Sequence, residues 1–405
     1  MDKWKRNLWI LWITQIISLA SFGFGLPFIP LYIQELEVMS PERLKLMTTI
    51  LAAAPALTMG IMAPIWGYLA DRFGRKLMIM RAMVFAIFII SAMGFVTSVN
   101  QLLLLRLLQG LFTGTVTAAV AFVASNTPKK NLTYALGVIT SSTFIGYSLG
   151  PVIGGAFAEV YGYSMSFVLG GGMMVIGAGL VLFLIKEDKS TLVSKKSEKH
   201  VSFFEKYRKV IMPTVVVVLF MLFFLRISRS LFAPYVALFV ESKFPSSDGV
   251  AMTTGIVNGL VGISTAISSM IMGTLASKFN KMKMLQVLLF SGTIIMLLIT
   301  QYTVIADRFA VTNDLWVFVV MYMMFFFIVG GVEPILTSTS ALAVESGDRG
   351  ALFGLQGMMG SLAWFAAPAI AGPIAINYDV EKVLIVIPIV LFINLLLSTR
   401  LRRLA

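Results

Sequence analysis

The stretch "GYLADRFGRK", Gly67 to Lys76, sets Asp71, Arg72, Arg75 and Lys76 between two long apolar runs, and a degraded copy, "GTLASKFNKM", returns from Gly273 to Met282. Gly67, Leu69, Ala70 and Phe73 recur there as Gly273, Leu275, Ala276 and Phe279. A second pair, "LPFIPLYIQEL" from Leu26 and "APYVALFVESK" from Ala233, keeps nearly the same spacing, and "SLGPVIGG" from Ser148 matches "FAAPAIAG" from Phe365. The chain is therefore read as a duplication. Parallel repeats of this kind build many secondary transporters, with the substrate site near the membrane midplane between the halves.

Composition says where the halves reside. Of 405 residues, 58% are hydrophobic and 13% charged, with one His and no Cys, and the mean hydropathy is +0.90. Soluble domains are about half apolar and a quarter charged. A bilayer accommodates the excess, because a spanning helix needs roughly 20 apolar residues and satisfies its own backbone. The apolar runs place spans at 8–33, 46–70, 77–97, 101–125, 132–158 and 163–185, then at 211–240, 250–276, 284–305, 315–343, 350–376 and 383–399. The expected fold is an all-α membrane protein, twelve transmembrane helices in two pseudo-symmetric six-helix bundles. Residues 1–186 form the first bundle, 187–209 a cytoplasmic linker and 210–405 the second. The linker reads as a solvated tether or, around Phe203, Phe204 and Tyr207, as a surface-lying amphipathic segment.

The net charge of +13 does not point to nucleic acid. Most Lys and Arg fall on alternate loops, among them Lys3, Lys5, Arg6, Lys129, Lys130, Arg400, Arg402 and Arg403. This positive-inside pattern makes both termini cytoplasmic and sets the basic residues against anionic headgroups. The basic, apolar start reads as a retained first span, because it is longer than a signal peptide's apolar core and lacks a small-residue cleavage site. Without Cys there is no disulfide or thiol chemistry. Neither G-x-x-x-x-G-K-[ST] nor H-E-x-x-H occurs, so the sequence reads as neither an ATPase nor a zinc protease and no cofactor is expected. An ion gradient or the substrate's own gradient is left as the source of energy.

Charges inside spans are costly, roughly 2.5 kcal/mol or more at the centre, and are normally retained for function. Four lie there: Arg106, Arg226, Arg229 and Glu333. Arg106 sits ~9 Å into its helix, close enough to an end to snorkel. Arg226 and Glu333 fall at similar depth, so either they pair, which leaves Arg229 for a water-filled cavity, or Glu333 titrates as a proton carrier. Pro334 beside it is expected to break the tenth span. Three arginines against one carboxylate suggest a cavity that handles neutral or weakly anionic amphiphiles at least as well as cations. Phe24, Phe28 and Tyr32, Phe232 and Tyr235, and Gln356, Met358, Met359 and Trp364 are candidate walls, because aromatic and Met side chains adapt to varied shapes.

"GYLADRFGRK" resembles the loop motif of the major facilitator superfamily, complete at Gly67, Leu69, Asp71, Arg72, Gly74, Arg75 and Lys76. "LLLLRLLQG", with Arg106, Gln109 and Gly110, resembles the fourth-span motif of proton-coupled members. "GYSLGPVIGG", with Gly146, Gly150, Pro151, Gly154 and Gly155, resembles the fifth-span motif of its bacterial twelve-span drug:proton antiporters. The resemblance implies proton-coupled efflux of amphiphilic drugs by a plasma-membrane monomer. It also implies that Asp71, Arg72 and Arg75 form a latch toward the eleventh span, where a helix amino terminus favours a carboxylate by ~0.3–2 kcal/mol. Ser277 and Asn280 replace the aspartate and the second glycine in the second copy, which should weaken its latch. The four motif glycines of the fifth span read as one small-residue face. Alternatives are a proton-coupled carrier of a native metabolite such as a nucleoside, sugar or siderophore, and a non-transporting sensor or scaffold.

Overall fold

The computed structural model describes residues 2–112, 114–128, 131–187, 208, 210–243, 249–309, 315–344 and 349–404. Apart from Glu187 and Arg208, the linker, with Phe203, Phe204 and Tyr207, lies outside the described residues. The first part of the chain runs α1 (Lys3–Gly23), a 3-10 turn (Leu26–Phe28), α2 (Ile29–Leu36), α3 (Pro41–Phe73), α4 (Arg75–Met93), α5 (Val99–Phe112), α6 (Thr115–Asn126) and α7 (Leu132–Leu184). The second runs α8 (Pro213–Ser230), a 3-10 turn (Ala233–Tyr235), α9 (Val236–Lys243), α10 (Val250–Lys278), α11 (Lys281–Phe309), α12 (Leu315–Gly330), α13 (Val332–Ala343), α14 (Arg349–Asn377), a 3-10 turn (Val380–Ile385) and α15 (Val386–Leu404).

Among the described residues, ten helical stretches are long and apolar enough to cross a membrane, and Val99–Phe112 is a shorter apolar helix. One of the ten, Val138–Leu184, has 47 residues, about 70 Å of helix and twice a bilayer's hydrocarbon core. It breaks at Gly162, whose φ of 81° only glycine adopts readily. The inside-out polarity fits lipid as solvent: Phe88, Phe183, Val287 and Leu396 are exposed, while Thr14, Gln15, Ser18 and Ser21 are buried.

The duplication is visible in three dimensions. The repeated "LPFIPLYIQEL" and "APYVALFVESK" form the same construction, a three-residue 3-10 turn followed by an eight-residue helix, at matching positions in both copies. Each carries a proline, Pro27 or Pro234, as the second residue of the turn, where it has no amide to contribute and fits a first helical turn.

Contacts divide the chain into two compact units, residues 1–39, 54–198 and 246–262, and residues 40–53, 199–245 and 263–405. In the first, α1 and α4 both pack on α7; in the second, α8 packs on α14 and α15, and α11 on α15. The first and third helices of each half thus rest on its last pair.

Four spans differ from the sequence reading. The first, expected over 8–33, and the seventh, expected over 211–240, are each interrupted by their 3-10 turn. The fourth, expected unbroken over 101–125, separates into α5 and α6 around Gly114, whose φ is 123°. In the tenth, expected to break at Pro334, the helix ends at Gly330 and restarts at Val332. Pro334 is still the cause: it has no N–H for the Gly330 carbonyl four residues earlier, and the Ser269 hydroxyl donates to that carbonyl instead, at 3.0 Å.

Candidate functional site

Glu333 lies in the first turn of α13, immediately after this break. Arg226 and Arg229 stand one turn apart on α8, and the packing of α8 against α13 brings both to the carboxylate. Arg226 donates to Oε1 from Nη2 at 2.7 Å and from Nε at 3.1 Å; Arg229 donates to Oε2 from Nη1 at 2.9 Å. Both carboxylate oxygens are therefore occupied by guanidinium donors. The pairing expected of Arg226 is present, but Arg229 is not left over for a cavity: it completes a triad of net charge +1. The three side chains keep 18–24% of their surface exposed.

The triad reaches α14 as well. Arg226 Nη1 donates to the Gln356 backbone carbonyl at 2.7 Å, and the Gln356 side-chain amide donates to the Ser340 hydroxyl on α13 at 2.9 Å. Gly360, one turn beyond Gln356, makes room, since a Cβ there would collide with Arg226 Nη1. Arg226 thus joins three helices, so a change in the charge of Glu333 is felt on α8, α13 and α14 together.

Arg106 does not snorkel. It is buried, 7% exposed, and its guanidinium donates to Gln109 Oε1 one turn on. Gly110 next to it lets α5 lie against α3, where a Cβ would meet Thr58 and the Pro55 carbonyl.

The wall residues separate into two groups. Phe24, Phe28, Tyr32, Phe232 and Tyr235 are all buried to 2% or less. They act as core in this structure: Phe24 lies on Phe157, Phe28 stacks on Tyr163, Tyr32 packs on Phe167 and donates to the Met93 carbonyl, Phe232 sits among Phe239, Phe318 and Tyr322, and Tyr235 bonds Thr49. Gln356 is buried, Met359 is partly buried against a cluster of Val210, Val215, Leu219, Val344 and Leu352, and Met358 and Trp364 stand exposed. Aromatic content alone does not separate core from cavity lining, because both use large apolar area.

In the loop motif, the surroundings of Gly67 and the side chains of Asp71 and Arg72 are outside what the structure describes. Gly74 has φ 101° and ψ 152° and caps α4 without a side chain. The orphan amides of Arg75 and Lys76 are taken by Glu187, just beyond α7, at 2.9 and 3.0 Å, and Lys76 Nζ donates back to the Leu182 and Ile185 carbonyls. The second copy solves the same problem locally, with Asn280 Oδ1 accepting from the Met282 and Lys283 amides at 3.0 Å. Gly74→Ala should cost about 1–3 kcal/mol, because a Cβ forbids that backbone conformation; the thermal midpoint of detergent-solubilised protein measures it.

The four glycines expected on one face of the fifth span occupy two. Gly146, Gly150 and Gly154 face α1 at Leu19, Ala20 and Phe24, while Gly155, rotated by the ~100° of one residue, faces Ala251 and Gly255 of α10. Sequence reasoning also misses Arg81, which lies on the Trp66 ring at 3.4 Å, and Glu159 and Glu187. Arg81 follows a basic loop closely enough to read as an interface charge, and a carboxylate that caps another helix carries no local sequence signal.

The sequence profile of the Major Facilitator Superfamily matches residues 11–399. A multi-drug resistance efflux pump PmrA homolog of Lactococcus lactis is 32% identical over 284 residues, 70% of this chain and 69% of the relative. The multidrug resistance protein MdtG of Proteus mirabilis is 28% identical over 401 residues, 98% of this chain and 96% of the relative. Among solved structures, a bacterial homolog of the human lysosomal transporter Spinster, in an inward-facing and unoccupied conformation, superposes with a TM-score of 0.75 at 14% identity, covering 100% of this chain and 98% of that one. Profile, relatives and fold agree with the duplicated helices and the loop motif: the chain belongs to the major facilitator superfamily.

Proposed function

We propose that the protein is a proton-coupled exporter of small amphiphilic molecules in the plasma membrane, a monomer with both termini in the cytoplasm, and that Glu333 takes up and releases the proton. The observation that carries this reading is the triad, a carboxylate among apolar helices whose two partners are held by its charge. Protonating Glu333 removes the negative charge that holds Arg226 and Arg229. Arg226 also holds the Gln356 carbonyl, so α14 moves with the change, and Arg106 is the corresponding buried cation of the first half. The relatives, one named a multi-drug resistance efflux pump homolog and the other a multidrug resistance protein, support outward transport of drugs over carriage of one metabolite.

In the same reading residues 1–186 and 210–405 are the moving halves, joined by the 187–209 linker. Gly67, Asp71, Arg72, Gly74, Arg75 and Lys76 form the latch, and Gly146, Gly150, Pro151, Gly154 and Gly155 a close-packed, bendable fifth span. Met358 and Trp364 offer exposed apolar surface to cargo.

The test is Glu333→Gln in membrane vesicles, with substrate-driven proton movement as the readout. Coupling is expected to vanish; undiminished coupling removes Glu333 from the mechanism. Cells overproducing the wild type should retain less of a fluorescent amphiphile, and a protonophore should abolish the difference. If retention is unchanged while a single metabolite moves, the carrier of a native metabolite is the correct reading.

A further inference from the structure

α4 and α10 begin alike. Each follows a glycine of positive φ, 101° at Gly74 and 92° at Gly249, which positions the chain but offers no side chain to the helix's orphan amides. Each is capped from a distance by a carboxylate of α7 or its edge. Glu187 serves α4; Glu159, at the end of the limb of α7 that precedes Gly162, serves α10, accepting from the Gly249 amide at 2.6 Å and from the Met252 amide at 3.4 Å.

The two caps differ in how firmly they are held. Glu187 is half-buried, its two bonds are nearly equal, and Lys76 ties the same helix to the α7 carboxyl end. Glu159 is exposed, its bonds are unequal, and no lysine of α10 reaches back to α7 beside them among the described residues. Beneath it, α7 meets α10 through backbone: a Cβ on Gly155 would stand 2.5 Å from the Ala251 carbonyl, one on Gly262 3.0 Å from Ser148 Cα, and one on Gly255 would strike the Pro151 carbonyl. The Ser148 hydroxyl donates to the Gly259 carbonyl at 2.9 Å. Small residues let helices approach closely without interlocking long side chains, and Pro151 removes one hydrogen bond from α7 at this point. Phe28, expected as a cavity wall, is fully covered where the seam ends, packed with Ala158 and Ala251.

We propose that Glu159 is a releasable clasp that positions α10 on α7: its carboxylate holds the seam shut over Phe28, and its release opens the seam during transport. The role in transport rests on the function proposed above, whereas the clasp itself is measurable without cargo. Glu159 touches no substrate; it acts through the α10 amides.

The natural chain has no cysteine, so a single Ser148→Cys substitution, nearly isosteric, reports seam opening through its labelling rate with a small maleimide in the full-length protein in proteoliposomes. Adding Glu159→Ala should raise that rate about tenfold and Glu159→Gln should raise it less, since the amide keeps one acceptor oxygen. A cysteine introduced at Ala82, buried on α4, should label at an unchanged rate. Equal rates at Ser148→Cys with and without Glu159→Ala overturn the clasp; so does a matching rise at Ala82→Cys, which would mean general loosening. With the clasp intact, wild-type Ser148→Cys should label faster while a gradient drives export of a fluorescent amphiphile. If the dye is exported without that change, the clasp has no part in transport. If no dye is exported yet Glu159→Ala still speeds labelling, the efflux reading fails and the clasp stands.

Discussion

Glu333→Leu is expected to lose most of the folded protein in detergent, and replacing Glu333, Arg226 and Arg229 together by leucine or methionine to recover much of it. The order follows from the balance of charge in a medium that solvates charge poorly. In the wild type, three guanidinium hydrogen bonds meet both oxygens of one carboxylate. Removing only the carboxylate leaves two like charges facing each other among apolar helices; breaking a buried pair from one side costs about 3–5 kcal/mol. The 18–24% exposure of these side chains admits some water and places the expected loss toward the lower end. Removing all three leaves no orphan, and apolar replacement of a buried charge cluster is often neutral or stabilising. Thermal midpoints and the monodisperse fraction on size exclusion decide it: a triple variant less stable than Glu333→Leu would mean that the triad is a net stabilising element and not a functional cost. Neither variant is expected to transport.

Gly150→Leu should prevent accumulation of the protein, and Gly150→Ala should already cost about 1–3 kcal/mol from overpacking. A Cβ at Gly150 would lie 2.6 Å from the Ala20 carbonyl oxygen, 2.8 Å from Ala20 Cα and 2.9 Å from Gly23 Cα. All three obstacles are α1 backbone, which no rotamer change moves aside. At Gly172 and Gly179, on the second limb of the same helix, a Cβ would meet nothing within 4 Å. Alanine at either is therefore expected to be neutral or to gain up to ~1 kcal/mol in helix propensity. Equal losses at Gly150 and Gly172 in a thermal-shift series would remove close helix approach as the reason for the glycine.

The triad shows how far linear reasoning reaches into a site. Arg226 and Glu333 are legible as partners because a charge in an apolar run is rare and helix rise converts residue number to depth. The third member is not, because which face of α8 meets α13 depends on packing. Pro334 announces a broken span, yet the break lies at Gly331, since the missing amide acts on a carbonyl one turn earlier. Aromatic residues that read as cavity walls are core for a related reason: hydropathy ranks a side chain's aversion to water but not what covers it.

The order of apolar runs, their duplication, the alternation of basic loops and the identity of the charged residues within spans are properties of the chain as a line, because hydropathy, insertion and backbone hydrogen bonding inside a helix act on neighbours in sequence. The recurrence of "LPFIPLYIQEL" as "APYVALFVESK" is legible in that line, whereas the 3-10 turn that interrupts each span there is not. Which helix lies against which, that Glu187 and Glu159 cap helices far from them in sequence, and that Gly155 looks away from its three companions were decided by folding. Those contacts join residues about ninety or more positions apart, and only close packing in three dimensions selects among the partners a carboxylate or a glycine face could take.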